Sequence, residues 1–527
     1  MTLRIGIDVG GTHTDAVILD EANRLVAAVK TPTTPDVTTG IAEALKKVIA
    51  AGDIDPSEIE AAMLGTTHCT NAIVERRRLS RIGLLRIGKP ATTAIKPYRA
   101  FPEDLKEALG DVWFIVKGGH EYDGREIAPL DEEEVRRAGE EMKKIGVEAV
   151  AICSVFSPVC PDHEVRAMEI LRGILEPGTP ITLSHEIGSI GLLERENASA
   201  LNAALIKVAE TAVKAFREAM RDAGIGEARL YLTQNDGTLM NVEYALKYPV
   251  RTVASGPTNS IRGAAYLTGT RNGIVVDIGG TTTLVGALTD GFPRESAVAV
   301  EIGGVRTNFR MPDLIAVSCG GGTIVREIDG NVELGPESLG YRLIEEGLAW
   351  GGGTLTTTDI ALAAGYAEIR DPRCNPERLR GLDAKLIQKA VQKIVSTVEE
   401  AVDRMKTSPE PVPVILVGGG GIIIPKAQYD KIKGVSQVIR PEHFQYANAI
   451  GAAIAEVSGE VDRIFSLEQE TRAKAMEEAK EMAIREAVKA GAKAETVKIV
   501  HVEEIPLAYL PGNAVRIRVK AAGELAL

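Results

Sequence analysis

Two stretches of this chain set an aspartate ahead of glycines and hydroxyls in the same order. Ile7-Asp8-Val9-Gly10-Gly11-Thr12-His13-Thr14 lies near the start, and Val276-Asp277-Ile278-Gly279-Gly280-Thr281-Thr282-Thr283 near the middle. Paired glycines remove the Cβ atoms that would hold an anion away, and successive backbone N–H groups then form a concave anion nest. The aspartate that closes the preceding strand is an oxygen ligand for Mg²⁺, directly or through water. The chemistry such residues support is phosphate handling. Each motif follows an apolar run (residues 3–7 and 274–276) and precedes another (16–19 and 284–288), which reads as strand, tight turn, strand. Two copies in matching contexts predict two related half-domains facing one nucleotide.

A third element of such a site is a glycine run directly after a buried strand. Gly418-Gly419-Gly420-Gly421 follows the apolar residues 414–417, where open α/β sheets bind ligands, and fits the place of adenine and ribose. Gly320-Gly321-Gly322 and Gly351-Gly352-Gly353, taken singly, read as structural turns. Strand-like and helix-like patterns alternate along the chain, which gives an α/β fold. Helical periodicity covers 39–51, 194–223 and 384–405, and a buried strand is expected at 147–156. From about residue 458 the composition changes: a Glu, Lys and Ala-rich helix over 467–490, then strands at 497–502 and 515–519 about a Pro511-Gly512-Asn513 turn. The expected division is therefore 1–188, 189–457 and a small C-terminal α/β unit, 458–527.

Composition narrows the function. The chain has 527 residues, 45% hydrophobic and 25% charged, with a formal net charge of -12. That balance excludes a nucleic-acid binder, which needs a basic face, and the Arg76-Arg77-Arg78 cluster reads as a solvated helix end. Five scattered cysteines fit a reducing compartment. No apolar stretch reaches the roughly 18–20 residues of a membrane span, and no signal peptide is evident. The expectation is a soluble, cytoplasmic enzyme.

Several further blocks accompany the two loops: Gly65-Thr66-Thr67-His68-Cys69-Thr70-Asn71-Ala72-Ile73-Val74-Glu75-Arg76, Leu232-Thr233-Gln234-Asn235-Asp236-Gly237, Ala254-Ser255-Gly256-Pro257 and Gly335-Pro336-Glu337-Ser338. Together they resemble the hydantoinase A / 5-oxoprolinase / acetone carboxylase beta-subunit family, in the actin-like ATPase superfamily that also holds sugar kinases and heat-shock chaperones. The resemblance implies two RNase H-like, actin-type half-domains around a nucleotide cleft, with ATP and Mg²⁺ as cofactors. It implies ATP-dependent phosphorylation of a carbonyl oxygen of a cyclic amide (a hydantoin, oxoproline or lactam), followed by hydrolytic ring opening. A B-type partner subunit and an oligomeric assembly come with it. Asp8 and Asp277 would position metal and attacking group, with Asp15 as a further catalytic carboxylate. Gly10, Gly11, Thr12, Thr14, Gly279, Gly280, Thr281 and Thr282 would cradle the phosphates. Thr66, Thr67, Asn71, Gln234 and Asn235 would face the substrate, since Asn and Gln suit an amide's donor and acceptor; the His120 segment is a further candidate lining.

The family ends both loops with an aspartate, and here only the first keeps it, as Asp15; the second has Leu284. Leu64 precedes Gly65 where a histidine is frequent, and the C-terminal part is reduced. Two other readings therefore stay open beside the amidohydrolase: a ketone carboxylase component or stand-alone small-molecule kinase, and an ATP-gated clamp. Cys160-x-x-His163 and His68-Cys69 are read as packing and surface residues, because nothing in the spacing joins the pairs into a four-ligand zinc site. Cys319 has no histidine placed to activate it as a nucleophile.

Overall fold

The computed structural model describes residues 2–10, 12–32, 37–296, 300–308, 311–467, 471–507 and 513–526. Gly11 and the Pro511-Gly512 part of the expected C-terminal turn lie outside the described residues.

Two mixed sheets carry the architecture, one in each half. The first has nine strands in the order Lys498–Pro506, Ala514–Gly523, Val457–Ser466, Leu239–Asn241, Arg229–Thr233, Ile59–Thr66, Leu3–Val9, His13–Leu19, Leu25–Pro32. The second has six, built on the antiparallel pair Gly273–Ile278 and Thr283–Thr289, with Val412–Val417 parallel to the first of these. Both expected hairpins are present in interior strands, each paired on both sides. Centrality explains their composition: Ile5, Ile7, Val276 and Ile278 are fully enclosed, as strands covered on both faces must be. A four-stranded parallel sheet (Val112–Lys117, Ile82–Lys89, Ala149–Ser154, Ile181–Leu183) is inserted between parts of the first half.

The two halves meet along the helices Ser255–Thr268 and Ala447–Ala453. The latter packs on the first hairpin through Ala449, Ile450 and Ala453 against Val17 and Leu19. The former packs on the second sheet through Ile261 and Ala264 against Val275 and Leu288. Their backbones touch. A methyl group at Gly263 would collide with the Ala447 carbonyl, and one at Gly451 with the Asn259 carbonyl. Only residues without a Cβ permit this approach.

The long helical readings hold as Val37–Ala51, Leu192–Asp222 and Ala384–Met405, and the 147–156 strand is realised as Ala149–Ser154. The last segment has the expected α/β character, with helix Arg472–Lys489 and strands Lys498–Pro506 and Ala514–Gly523. Its strands extend the nine-stranded sheet: Val457–Ser466 pairs in parallel with Leu239–Asn241. Ala61, Met63 and Tyr231 share one buried cluster with Ala475, Ala479, Ile517 and Val519.

Candidate active site: two facing phosphate hairpins

The two glycine turns close in the same way. The Gly10 N–H donates to the His13 carbonyl at 3.0 Å, and the Gly279 N–H to the Thr282 carbonyl at 2.9 Å. The strand registers match as well: Asp8 stands opposite Asp15, and Asp277 opposite Leu284. The tips face each other, since a Cβ at Gly280 would lie 2.7 Å from Thr12 Cγ2. Thr281 is exposed beside them, and its hydroxyl lies 3.3 Å from that of Thr282. Thr14 is buried under the first tip.

Asp8, Asp15 and Asp277 form one electrostatic unit. Burial pushes the Asp8 carboxyl up to about 8, and Asp15 and Asp277 push it further in the same direction. Burial also raises Asp15 and Asp277; Lys30 opposes the rise in all three, and a 2.5 Å hydrogen bond from Ser260 opposes it in Asp277. Lys30 reaches from the strand Leu25–Pro32 to Asp15, with Nζ 2.6 Å from Oδ1. It also lies 3.8 Å from where a Cβ of Gly419 would stand, so it spans the cleft. Three clustered carboxylates, of which Asp8 and Asp277 are raised by their acidic neighbours, form a donor set that fits a hard dication such as Mg²⁺. His13 beside them is held down to about 4 by burial and by Lys30, and is neutral at pH 7.

The Gly418 run packs directly on the second hairpin. A methyl at Gly418, which has φ +83°, would collide with Asp277 Oδ1; a Cβ at Gly420 would stand 2.5 Å from the Gly279 carbonyl oxygen. Gly321 and Gly322 brace the same turn from behind, donating N–H bonds to the Gly279 and Gly280 carbonyls at 2.9 and 2.6 Å. Gly352 instead belongs to a local turn against Glu346. Cys319 is buried, and its thiol is pushed up to about 12 by burial.

On the first half, the strand Ile59–Thr66 runs parallel to Leu3–Val9, which sets Gly65 opposite Asp8 and Thr66 opposite Val9. A Cβ at Gly65 would lie 3.1 Å from Asp8 Oδ1 and 2.7 Å from Asn259 Nδ2. Thr67 Oγ1 donates to the Val9 carbonyl at 3.4 Å, while Asn71 is exposed and reaches back to Thr67 at 3.4 Å. Gln234 and Asn235 are buried at the end of Arg229–Thr233 and line a separate cavity that none of the three aspartates lines. Their amide nitrogens are bonded internally, to Thr238 Oγ1 and the Leu239 carbonyl (both 3.2 Å) and to Met311 Sδ (3.5 Å).

His120 stands in another place, near the four-stranded sheet. Its Nε2 is 3.4 Å from Cys160 Sγ, and its ring lies 4.2 Å from that of His163. With Glu126 it forms a group whose ligand atoms lie within 4.8 Å of one another. What meets Cys160 and His163 is therefore not the His68-Cys69 pair but His120 and Glu126, brought there across 37–40 residues of sequence. The tautomer still argues against a metal. The Gly119 N–H donates to His163 Nδ1 at 3.0 Å, so Nε2 carries the proton and donates to Glu126 at 3.1 Å. His163 then has no lone pair left to give.

Lys30, Asn259 and Ser260 were not singled out by the sequence. Asn259 Oδ1, Ser255 Oγ and Asn448 Oδ1 are buried without a protein partner, and Asn259 and Gly256 both neighbour Asp8. The Ala254–Pro257 block was the one signal that pointed at this helix start.

Family models match residues 4–175 as the hydantoinase/oxoprolinase N-terminal region and 195–461 as hydantoinase/oxoprolinase. The chain belongs to the hydantoinase/oxoprolinase family. Among family relatives, the caprolactamase subunit alpha of Pseudomonas jessenii is 29% identical over 69% of this chain and 54% of its own length. The acetone carboxylase beta subunit of Xanthobacter autotrophicus is 24% identical over 72% of this chain and 56% of its own. The chain thus spans a little over half the length of these relatives. The crystal structure of the ATP-dependent caprolactamase from P. jessenii superposes with a TM-score of 0.78 at 20% identity, over 99% of this chain and 88% of that one. At that identity the likeness establishes a common fold. Among the described residues no helix is long and apolar enough to cross a membrane.

Proposed function

We propose that this member of the family binds ATP between the two hairpins and transfers the γ-phosphoryl group to the carbonyl oxygen of a cyclic amide, which then opens by hydrolysis. The observation that carries the reading is the register match: two aspartates, Asp8 buried and Asp277 half-buried, one on each half, end strands whose glycine turns face each other at Thr12 and Gly280. A phosphoryl group in flight carries charge on three oxygens, and catalysis consists mainly of positioning it and neutralising that charge. Backbone N–H groups of the two turns bind the phosphates. Thr12, Thr281 and Thr282 add hydroxyl donors. Gly418 to Gly421 leave room for the nucleoside against the second hairpin. Asp8 and Asp277 would hold Mg²⁺, which supplies charge neutralisation at the transferring phosphoryl group. Thr66 and Thr67, at the end of the strand beside Asp8, lie where the acceptor carbonyl must enter.

A B-type partner subunit and an oligomeric, cytoplasmic assembly belong to the same proposal, supported by relatives that are named as subunits. So does the division at residues 188 and 457, which the matches ending at 175 and 461 support. A ketone in place of the amide is the second reading, favoured by the acetone carboxylase relative.

The test is ADP and free-phosphate release by the purified chain with Mg-ATP against lactams, hydantoins, 5-oxoproline and ketones, with and without a B-type subunit. A substrate-stimulated release of both products that Asp8→Asn abolishes is expected. ADP without phosphate would replace the hydrolase by a kinase. Turnover that no substrate stimulates, unchanged in Asp8→Asn, would overturn the reading.

A further inference from the structure

A cavity of about 680 Å³ opens where the strand Arg229–Thr233 ends, with Gln234, Asn235, Tyr244, Tyr248 and Arg251 in its wall. It lies on the same sheet edge as the phosphate cleft, because Leu3–Val9, Ile59–Thr66 and Arg229–Thr233 are successive parallel strands. Asn259, which neighbours Gly65 and Asp8, holds the Thr233 hydroxyl at 3.0 Å.

Several of the charges around this cavity are matched. Asp236 pairs with Lys520 at 2.8 Å, Asp462 with Arg516 and Arg518 at 2.6 and 3.0 Å, and Glu186 with Lys247 at 2.9 Å. Arg251 has no ion pair or side-chain hydrogen bond among the described residues, and its Nε is buried without a partner. Its guanidinium leans on the rings of Tyr244 and Tyr248, 5.7 and 5.8 Å from their centroids. Glu460 and Asp236 act on it through space without reaching ion-pair distance. A guanidinium with a buried nitrogen is normally paired, since desolvating an uncompensated charge is costly. Its planar fork matches a carboxylate in a bidentate pair. The two acids nearby disfavour a dianion, and the two tyrosines, edge to face with ring centroids 4.6 Å apart, offer apolar surface to a carbon skeleton.

We propose that this cavity binds a small organic carboxylate, with the carboxylate on the guanidinium of Arg251 and the rest of the molecule against Tyr244 and Tyr248. The site stands independently of the nucleotide reading, and its position makes it an anchor for an acidic substrate or effector beside the cleft.

Isothermal titration of the full chain without nucleotide tests it, using the monoanions benzoate and butyrate against the uncharged benzamide and butyramide, with inorganic phosphate as a further probe. At least one carboxylate is expected to bind at least tenfold more tightly than its amide and than phosphate. Arg251→Met is expected to erase the difference, and Arg251→Lys to keep part of it. Equal binding of acid and amide, tighter binding of phosphate, binding of neither carboxylate, or an unchanged preference in folded Arg251→Met overturns the proposal. If Arg251→Met does not fold, the wild-type comparison and Arg251→Lys decide. A loss of ADP release in Asp8→Asn has no bearing on this outcome, so the two readings fail separately.

Discussion

The two phosphate hairpins share turn geometry and strand register but differ in what surrounds them. Across from Asp8 the first has Asp15 with Lys30, a charged pair at 2.6 Å; across from Asp277 the second has Leu284, and Ser260 supplies the one hydrogen bond. The second is braced instead by backbone, with Gly321 and Gly322 behind it and Gly418 and Gly420 against its flank. One site therefore has an electrostatically adjustable side and a sterically fixed side. The fixed side suits a nucleoside and its phosphates, which do not vary between substrates. The adjustable side adjoins Thr66 and Thr67, where the proposed acceptor would enter.

The sharpest way to break the comparison is to exchange each aspartate. Asp8→Asn and Asp277→Asn should each lower ADP release by about 10³-fold, as removal of a group that positions the transferring charge does, measured at saturating Mg-ATP. A large loss in only one would end the view of the hairpins as a matched pair. Gly418→Ala comes next. Its methyl meets Asp277 and its φ of +83° strains any other residue, so nucleotide affinity should fall by about 2–3 kcal/mol, read by titration with a non-hydrolysable analogue. Gly65→Ala, its counterpart beside Asp8, should cost less, because the neighbour it meets most closely is the Asn259 side chain.

The pH dependence is smaller. Asp8 titrates at about 8 in the fold against 3.8 for an ordinary carboxyl, so metal and proton compete for it. Mg-ATP affinity should rise with pH from 6 to 8 by at most about tenfold per unit, the limit for one proton. Without metal the stability runs the other way. The folded state holds a proton that the unfolded chain has released, so Asp8's contribution is present at acid pH and is lost as pH rises towards 8. Asp8→Asn should flatten that slope in a thermal melt; a slope that survives would place its origin elsewhere. Lys30→Met should have the least effect, about 1 kcal/mol in chemical denaturation, because Lys30 is 28% exposed and water replaces part of the lost pairing. A loss of several kcal/mol would mean that Asp15 has no access to solvent once Lys30 is gone.

The hairpins were legible because both requirements on them are local: enclosed strands need apolar runs, and an anion nest needs glycine. The Gly418 run was legible as a place of close backbone approach, and what approaches Gly418 and Gly420 is the second hairpin. Lys30 was not, since nothing in a strand reading Leu25–Pro32 says that one lysine crosses the cleft. Asn259 and Ser260 were hidden inside a helix whose glycines are explained only by the partner helix they touch. The grouping of His120 with His163, Glu126 and Cys160 depends on a sheet inserted between parts of the first half, and no periodicity reveals such a meeting. Gln234 and Asn235 stand at a strand end, but the Gln234 amide nitrogen serves its own turn and that of Asn235 reaches Met311.

The late strands of the first sheet set an order of events. Ala61, Met63 and Tyr231 are covered by residues of Ala514–Gly523 and Arg472–Lys489, so the first half cannot close its apolar face as it emerges from the ribosome. Domains ordinarily finish in sequence during synthesis; here the half that begins first is completed last. Contacts between positions so distant in the chain form slowly. A nascent chain of this protein therefore carries an uncovered apolar sheet face until residues 472–523 have been made.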